Sequence, residues 1–456
     1  MDTVLMEELV NIMLETGADY SEVYYEDTIS KKYYYTNGKL DDIVVNTKIG
    51  AGLRILDGEK YYYSSTNNLV RENLLELAKT LGSHLFGVRN TSVVLEEVDT
   101  KLDIEIEHHK KTTKSKIEYL NSIDTMARSY SNKISQVEVY LIENDAFKRV
   151  ANSTGVLTNN KEIRTRLALC VYAKEGDRLT SYYNRIDYQK GYEMLDDVSL
   201  SSFVFETCQM AIEELDAKYF EGGCYPVVIG NGFGAVIIHE ACGHGLEATS
   251  VATNRSVFSN KLGQKVANDK VTLVDDGTIQ KEWGSSIIDD EGEYAHKNIL
   301  IEKGVLKGYL VDRFHEGKMR QTANGCGRRE SYLYAPTSRM SNTYIAKGTD
   351  KKEDIIKSIS YGVYVKQISH GTVVSETGDF NFFTGGAYII RDGKICERIK
   401  DISLTGNCLE ILSNIEMVSD DLKLEGGLCG SISGMIFVTA GEPTIKVSKI
   451  LIGGKK

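Results

Sequence analysis

EGGCYPVVIGNGFGAVIIHEACGHGLEA, residues 221–248, divides the chain and decides how the rest is read. Gly222 and Gly223 mark a boundary, YPVVIG is a short apolar strand, and FGAVIIHEACGHGLEA (233–248) places Val236, Ile237, Ile238, Ala241 and Leu246 at helical spacing. Before this stretch, helices alternate with tyrosine-rich strands. After it, strand runs separated by glycine turns dominate.

Working back toward the N-terminus, Val4, Leu5, Leu9, Ile12 and Met13 predict a helix over 2–17. KKYYYTNGKLDDIVV and IGAGLRILDGEKYYYSS predict hairpins turning at TNGK and LDGEK, and a helix over 68–86 follows. A helical pattern within 102–135, strands in VEVYLIEND, KRVANSTG and RTRLALCVYAKEGDRLTSYY, and a helix over 194–218 repeat that order. Toward the C-terminus, EDIIKSI (353–359) is the clearest helix. The expected fold class is therefore α+β, with antiparallel sheets and packed helices. A duplicated helix–strands–helix domain spans 1–220, its repeat boundary near 100, and a strand-rich domain spans 221–456 and carries the helix at 233–248.

At 456 residues the chain is long enough for several domains with buried cores. Three prolines against 41 glycines and 27 tyrosines agree with strands joined by glycine turns. A net charge of −11 argues against nucleic-acid binding, which needs a basic face to neutralise phosphates, although HHKKTTKSK (108–116) is a local basic patch. No apolar run reaches the roughly 18 residues a membrane-spanning helix needs. The acidic N-terminus lacks the basic region of a signal peptide, so the expected location is the cytoplasm. There the eight cysteines, none in a CxxC pair, form no disulfide framework.

The chemistry concentrates in HEACGH, residues 239–244. In the zinc-peptidase pattern HExxH, two histidines four apart share one helix face and one metal. Here they are five apart, which on a regular α-helix separates them by roughly 140°. A π-bulge would realign positions i and i+5. Alternatively, the helix ends at Gly243 and His244 swings back from a loop, and Gly243 and Gly245 permit either. Glu240 directly follows the first histidine, where a metallopeptidase places its general base. A catalytic zinc takes three protein ligands and keeps one position open. Candidates for the third are Cys242, Cys429 in EGGLCGS (425–431), or a carboxylate of DDEG (289–292), which could also serve as a supporting partner. His296, His315 and His370 stand alone in sequence and read as structural or surface residues.

HEACGHGLEA resembles the metal-binding segment of the TldD/PmbA (TldD/TldE) family of metalloproteases, in its metal-binding TldD-type subunit. The resemblance runs nearly the whole length. It includes DYSEVYYED, GAGLRILDGEK, VTLVDDGTI, GSSIIDDEG, GCGRRESY, PTSRMSNTYI, SISYGVYV, TGDFNF, GGAYIIRDGKI, MVSDDLKLEGGLCG and GEPTIKVSKILIGG, in the family's order. It implies His239, His244 and Cys429 as ligands of one zinc per chain, with Glu240 as the catalytic base. It also implies cleavage of unfolded or short peptides, held as extended strands in an enclosed dimer cavity. The dimer would be a homodimer or a heterodimer with a metal-free PmbA/TldE-like subunit. The family is associated with peptide-antibiotic maturation and antitoxin turnover, and an older description is modulator of DNA gyrase. One departure stands out: Cys429 is followed by Gly430-Ser431-Ile432-Ser433, where the family commonly has Gly-Lys and a Gln-containing turn.

The strand-like TVVSETGDFNFFTGGAYII (372–390) offers an edge to which a peptide could add as a further strand. Arg328 and Arg329 are candidates for holding a substrate carboxylate or an oxyanion, or else a structural pair. The expected activity is zinc-dependent peptide hydrolysis. Two rivals are a cysteine hydrolase using Cys429 or Cys242 with a histidine base, and a non-catalytic binding or assembly subunit, gyrase-associated, with a vestigial motif.

Overall fold

The computed structural model describes residues 1–454 apart from 86, 90, 91, 101–103, 233 and 235. Strands Tyr20–Thr36 and Lys39–Asp57 are joined by a two-residue turn, Asn37 and Gly38, with φ of 50° and 79°. That is the turn an Asn-Gly pair favours, because both residues tolerate the left-handed region. These strands belong to a seven-stranded sheet in the order Lys60–Thr66, Lys39–Asp57, Tyr20–Thr36, Ile134–Asn152, Val156–Glu175, Glu96–Thr100, with Arg178–Tyr188 also paired to Val156–Glu175.

The order helix, three strands, helix occurs twice, and the two copies join where Tyr20–Thr36 pairs antiparallel with Ile134–Asn152. Alternation along these strands gives the sheet two different faces. On one face, helices Thr3–Glu15 and Arg71–Gly82 cover Val23, Ala51, Leu53 and Ile55. Helices Thr113–Tyr130 and Leu200–Glu213 cover Val137, Val139, Leu141 and Leu167. The helical pattern within 102–135 narrows to Thr113–Tyr130, and the closing helix expected over 194–218 is interrupted. The first begins only after Thr112, whose side chain caps Ser115 N–H. The stretch 194–218 breaks at the extended residues Val198 and Ser199 into Glu193–Asp197 and Leu200–Glu213.

The opposite face meets the strand-rich half through buried charges. Arg54 lies 2.6 Å from Glu22 and 2.5 Å from Glu291, Arg329 also pairs with Glu22, and Lys148 is 3.2 Å from Asp290. Arg328 donates to the carbonyls of Met340 and Phe437 at 2.6 and 2.7 Å. Arg329 and the Asp290 and Glu291 carboxylates of DDEG therefore hold the two halves together, while the hydrogen bonds of Arg328 stay within the strand-rich half. The structural reading of these arginines stands, and DDEG does not join the metal motif.

Residues 223–453 form two larger sheets. A six-stranded sheet runs Val305–Leu306, Lys297–Glu302, Leu273–Asp276, Asn342–Ile345, Gly434–Glu442, Lys423–Ser431. A nine-stranded sheet runs Ile368–Val374, Asp379–Thr384, Ser403–Asn407, Ile445–Gly453, Gly223–Ile229, Tyr361–Val365, Ala387–Arg391, Lys394–Ile399, with Ile415–Val418 also paired to Ile445–Gly453. Both contribute to one apolar core, in which Ile237, Ile238, Ala241 and Cys242 of the motif segment are packed. No helix among the described residues is long and apolar enough to cross a membrane.

Candidate metal centre

The five-residue spacing of the histidines is accommodated within the helix. Val236–Ile238 is α-helical, His239–Gly243 forms a π turn, and His244–Leu246 a 3-10 turn. The His244 N–H donates to the carbonyl of His239, the i to i+5 bond that defines a π turn. Of the two geometries the spacing allowed, the molecule uses the bulge. Residues 233 and 235 of the helix read over 233–248 lie outside the described residues.

Gly243 has helical angles, φ −58° and ψ −52°, so its conformational freedom is not what the turn requires. It supplies space: a Cβ there would lie 2.0 Å from the Met340 sulfur, and one on Gly245 would lie 2.9 Å from the Phe258 ring.

The π turn brings the imidazoles together, with ring centroids 5.4 Å apart and planes at 82°. Cys429, on the edge strand Lys423–Ser431, completes the group from the other side. Its sulfur is 3.1 Å from His244 Nε2, and one ligand atom from each of His239, His244 and Cys429 lies within 4.8 Å of the others. Among the described residues this is the one such cluster of three or more. Cys242, the other cysteine considered, points into the core. Its thiol is pushed well up by Cys408 and by burial. His315 is buried against Asp312, while His296 and His370 are exposed, and none reaches the cluster.

The buried thiol and imidazoles form an electrostatic unit. Burial opposes ionisation of Cys429, but His239 and His244 outweigh it and pull the thiol down to about 5. Burial likewise opposes protonation of both histidines. Cys429 outweighs it at His239, and Glu247 with Cys429 outweighs it at His244, so both are raised. His239 is 4% exposed, and both its ring nitrogens are buried without a hydrogen-bond partner. Two orphaned imidazole nitrogens beside a thiolate suit a cation that accepts nitrogen and sulfur donors, so the residues present fit zinc. Glu240 is the accessible member of the group, with its side chain 32% exposed and Oε2 3.6 Å from His244 Nε2.

Two residues of the site escaped the sequence reading. Glu247 accepts from His244 Nδ1 at 3.0 Å, which orients the ring and turns Nε2 toward Cys429. Arg339 lies 3.8 Å from Glu247 and donates to the Cys429 carbonyl at 2.6 Å. The i, i+3 spacing from His244 was a signal for Glu247. Nothing local signalled Arg339.

An α+β chain in which a π turn brings two histidines to a cysteine of an edge strand, beside an accessible glutamate, has the makings of a metal-dependent hydrolase. Family models described as PmbA/TldA metallopeptidase domain 1, central domain and C-terminal domain match residues 21–83, 107–215 and 222–454. A relative from Buchnera aphidicola, named metalloprotease TldD homolog, is 32% identical over 463 residues, covering 99% of this chain and 95% of its own. One from Saccharolobus solfataricus, named zinc metalloprotease TldD homolog, is 26% identical, covering 96% of this chain and 98% of its own. The crystal structure of TldE from Thermococcus kodakarensis superimposes with a TM-score of 0.78 at 17% identity, covering 99% of this chain and all of that one. The chain belongs to the PmbA/TldD family of metallopeptidases.

Proposed function

We propose that this chain is a zinc-dependent peptidase in which His239, His244 and Cys429 hold one zinc and Glu240 is the general base. The observation carrying this reading is His239: a buried imidazole with two unpartnered nitrogens, facing a histidine and a cysteine whose ligand atoms lie within 4.8 Å. A zinc ion bound there would supply Lewis acidity toward a water and a substrate carbonyl. The chain's own residues do the rest. Glu247 fixes the His244 ring, and Glu240 takes a proton from the attacking water and returns it to the leaving amine.

The substrate is an unfolded or short peptide added as a strand. Strand Ile368–Val374 ends the nine-stranded sheet, pairs on one side only, and packs beside the π turn. The other nearby edge, Lys423–Ser431, is closed. Arg185, Trp283 and Arg339 donate to its carbonyls at Gly426, Gly427 and Cys429, at 2.8, 2.9 and 2.6 Å. Backbone pairing along the open edge gives affinity without demanding a sequence. The working unit is a dimer, either homomeric or with a metal-free PmbA/TldE-like partner, which would enclose the cavity.

Glu240→Gln should keep the zinc and the fold while lowering peptide hydrolysis at least about a hundredfold. Near-normal hydrolysis by this variant would remove Glu240 from the role. A second reading rests on the 3.1 Å contact between Cys429 and His244, which also suits a cysteine nucleophile with a histidine base. Chelation separates the two: it abolishes the metallopeptidase and leaves the cysteine hydrolase active, whereas thiol alkylation alone inhibits both.

A further inference from the structure

His244 and Cys429 are 185 residues apart and sit on different elements, one on the π turn and one on an edge strand. Ligand atoms on separate elements need support that holds them to within about half an ångström. We infer that Arg339, acting with Glu247, is the positioning residue that sets this separation, an inference that rests on the zinc site proposed above.

Arg339 is fully buried in the segment that runs between the two elements, and its own N–H is anchored on the Cys326 carbonyl at 2.9 Å. Its Nη2 donates to the Cys429 carbonyl at 2.6 Å. Its Nη1 donates to Ser433 Oγ at 2.9 Å and to the Gly434 carbonyl at 3.0 Å, across the turn that follows Cys429. One planar guanidinium thereby grips both arms of the hairpin, as a lysine's single ammonium cannot.

On its other side Arg339 Nε faces Glu247 Oε1 at 3.8 Å, a charge contact longer than a hydrogen bond. Glu247 Oε1 also accepts from Met340 N–H at 3.3 Å, while Oε2 holds His244 Nδ1 at 3.0 Å. The chain of contacts is thus Cys429 carbonyl, Arg339, Glu247, His244. The next residue, Met340, fills the space above Gly243. Residues 339 and 340 therefore fix the π turn twice, once through Glu247 and once by packing.

A residue that only stabilised the fold would shift melting and leave the metal's surroundings alone. A positioning residue changes the surroundings. The test is cobalt(II) titration of the full chain, read by absorption in the thiolate-to-cobalt and ligand-field bands. Wild type should bind one cobalt with a thiolate band. Arg339→Gln should bind about tenfold to a hundredfold more weakly, the usual effect of losing a supporting partner, with an altered thiolate band. Arg339→Lys, which keeps the charge near Glu247, should recover part of the affinity. Glu247→Gln should weaken binding and shift the ligand-field bands while keeping the thiolate band. Should Arg339→Gln fail to fold, Arg339→Lys and Glu247→Gln decide. Wild-type affinity and spectra in these variants would overturn the inference and leave the zinc site standing. A wild-type chain that binds neither cobalt nor zinc would instead overturn the site itself.

Discussion

Gly243→Ala tests how the π turn is built. Gly243 is helical, with φ −58° and ψ −52°, so propensity alone favours alanine there by about 1 kcal/mol. Packing opposes it. The new methyl would lie 2.0 Å from the Met340 sulfur and 2.9 Å from its terminal methyl. Met340 is fully buried, with its N–H held by Glu247 and its carbonyl by Arg328, so its side chain has little room to retreat. Overpacking of this kind costs typically 1–3 kcal/mol. Set against the propensity gain, the net is a destabilisation of up to about 2 kcal/mol, or a melting temperature lowered by as much as roughly 8 °C for a unit of this size. Zinc affinity should fall with it, because the strain lands between the two histidines. Differential scanning calorimetry measures the first effect and zinc titration the second. Met340→Ala added to Gly243→Ala should recover part of the loss relative to the sum of the single variants, because the two changes share one space. A Gly243→Ala protein that melts higher and binds zinc normally would refute the packing argument and return Gly243 to an ordinary helical position.

Three other outcomes follow from the same contacts. Arg54→Met strips Glu22 and Glu291 of a buried partner and should cost about 3–5 kcal/mol, seen as earlier melting and faster proteolysis between the halves. Glu282 is raised to about 7, by burial and against the pull of Lys190. A carboxyl raised on folding contributes most stability below its unfolded value and loses it as pH rises through the folded one. Glu282→Gln should therefore raise the unfolding free energy above pH 7, by an amount on the order of 1–3 kcal/mol, seen as a higher melting temperature, with the gain gone below about pH 4.5. Cys429→Ser should lower zinc affinity at least about tenfold while the histidines keep partial occupancy, measured by competition with a chelating dye.

Much of this was legible in the chain. The Asn37-Gly38 turn is a local signal, and it read correctly. The HEACGH spacing announced that a regular helix would not serve, but it left a bulge and a loop open. The structure shows the bulge, with Ile237, Ile238, Ala241 and Cys242 packed into a core drawn from many distant residues that no local window contains. Gly243 was misread for a related reason. A glycine advertises backbone freedom in sequence, whereas here it makes room for a side chain 97 positions away. Cys429 was one of several candidates for the third ligand, and the family resemblance singled it out. The grip of Arg339 on the Cys429 carbonyl depends on sheet pairing, so no window of sequence could contain it. For Arg328 and Arg329 the sequence left a substrate role and a structural one open, because neither the buried ion pair of Arg329 with Glu22 nor the buried carbonyls that Arg328 binds can be seen one residue at a time.

The central claim is that HEACGH with Cys429 is a zinc site. The measurement that tests it most directly is zinc per chain, by elemental analysis of protein purified without a histidine tag, in wild type, His239→Ala and Glu240→Gln. The account predicts about one zinc in wild type and in Glu240→Gln, and little in His239→Ala. No zinc in wild type after reconstitution, or equal zinc in all three, would contradict it.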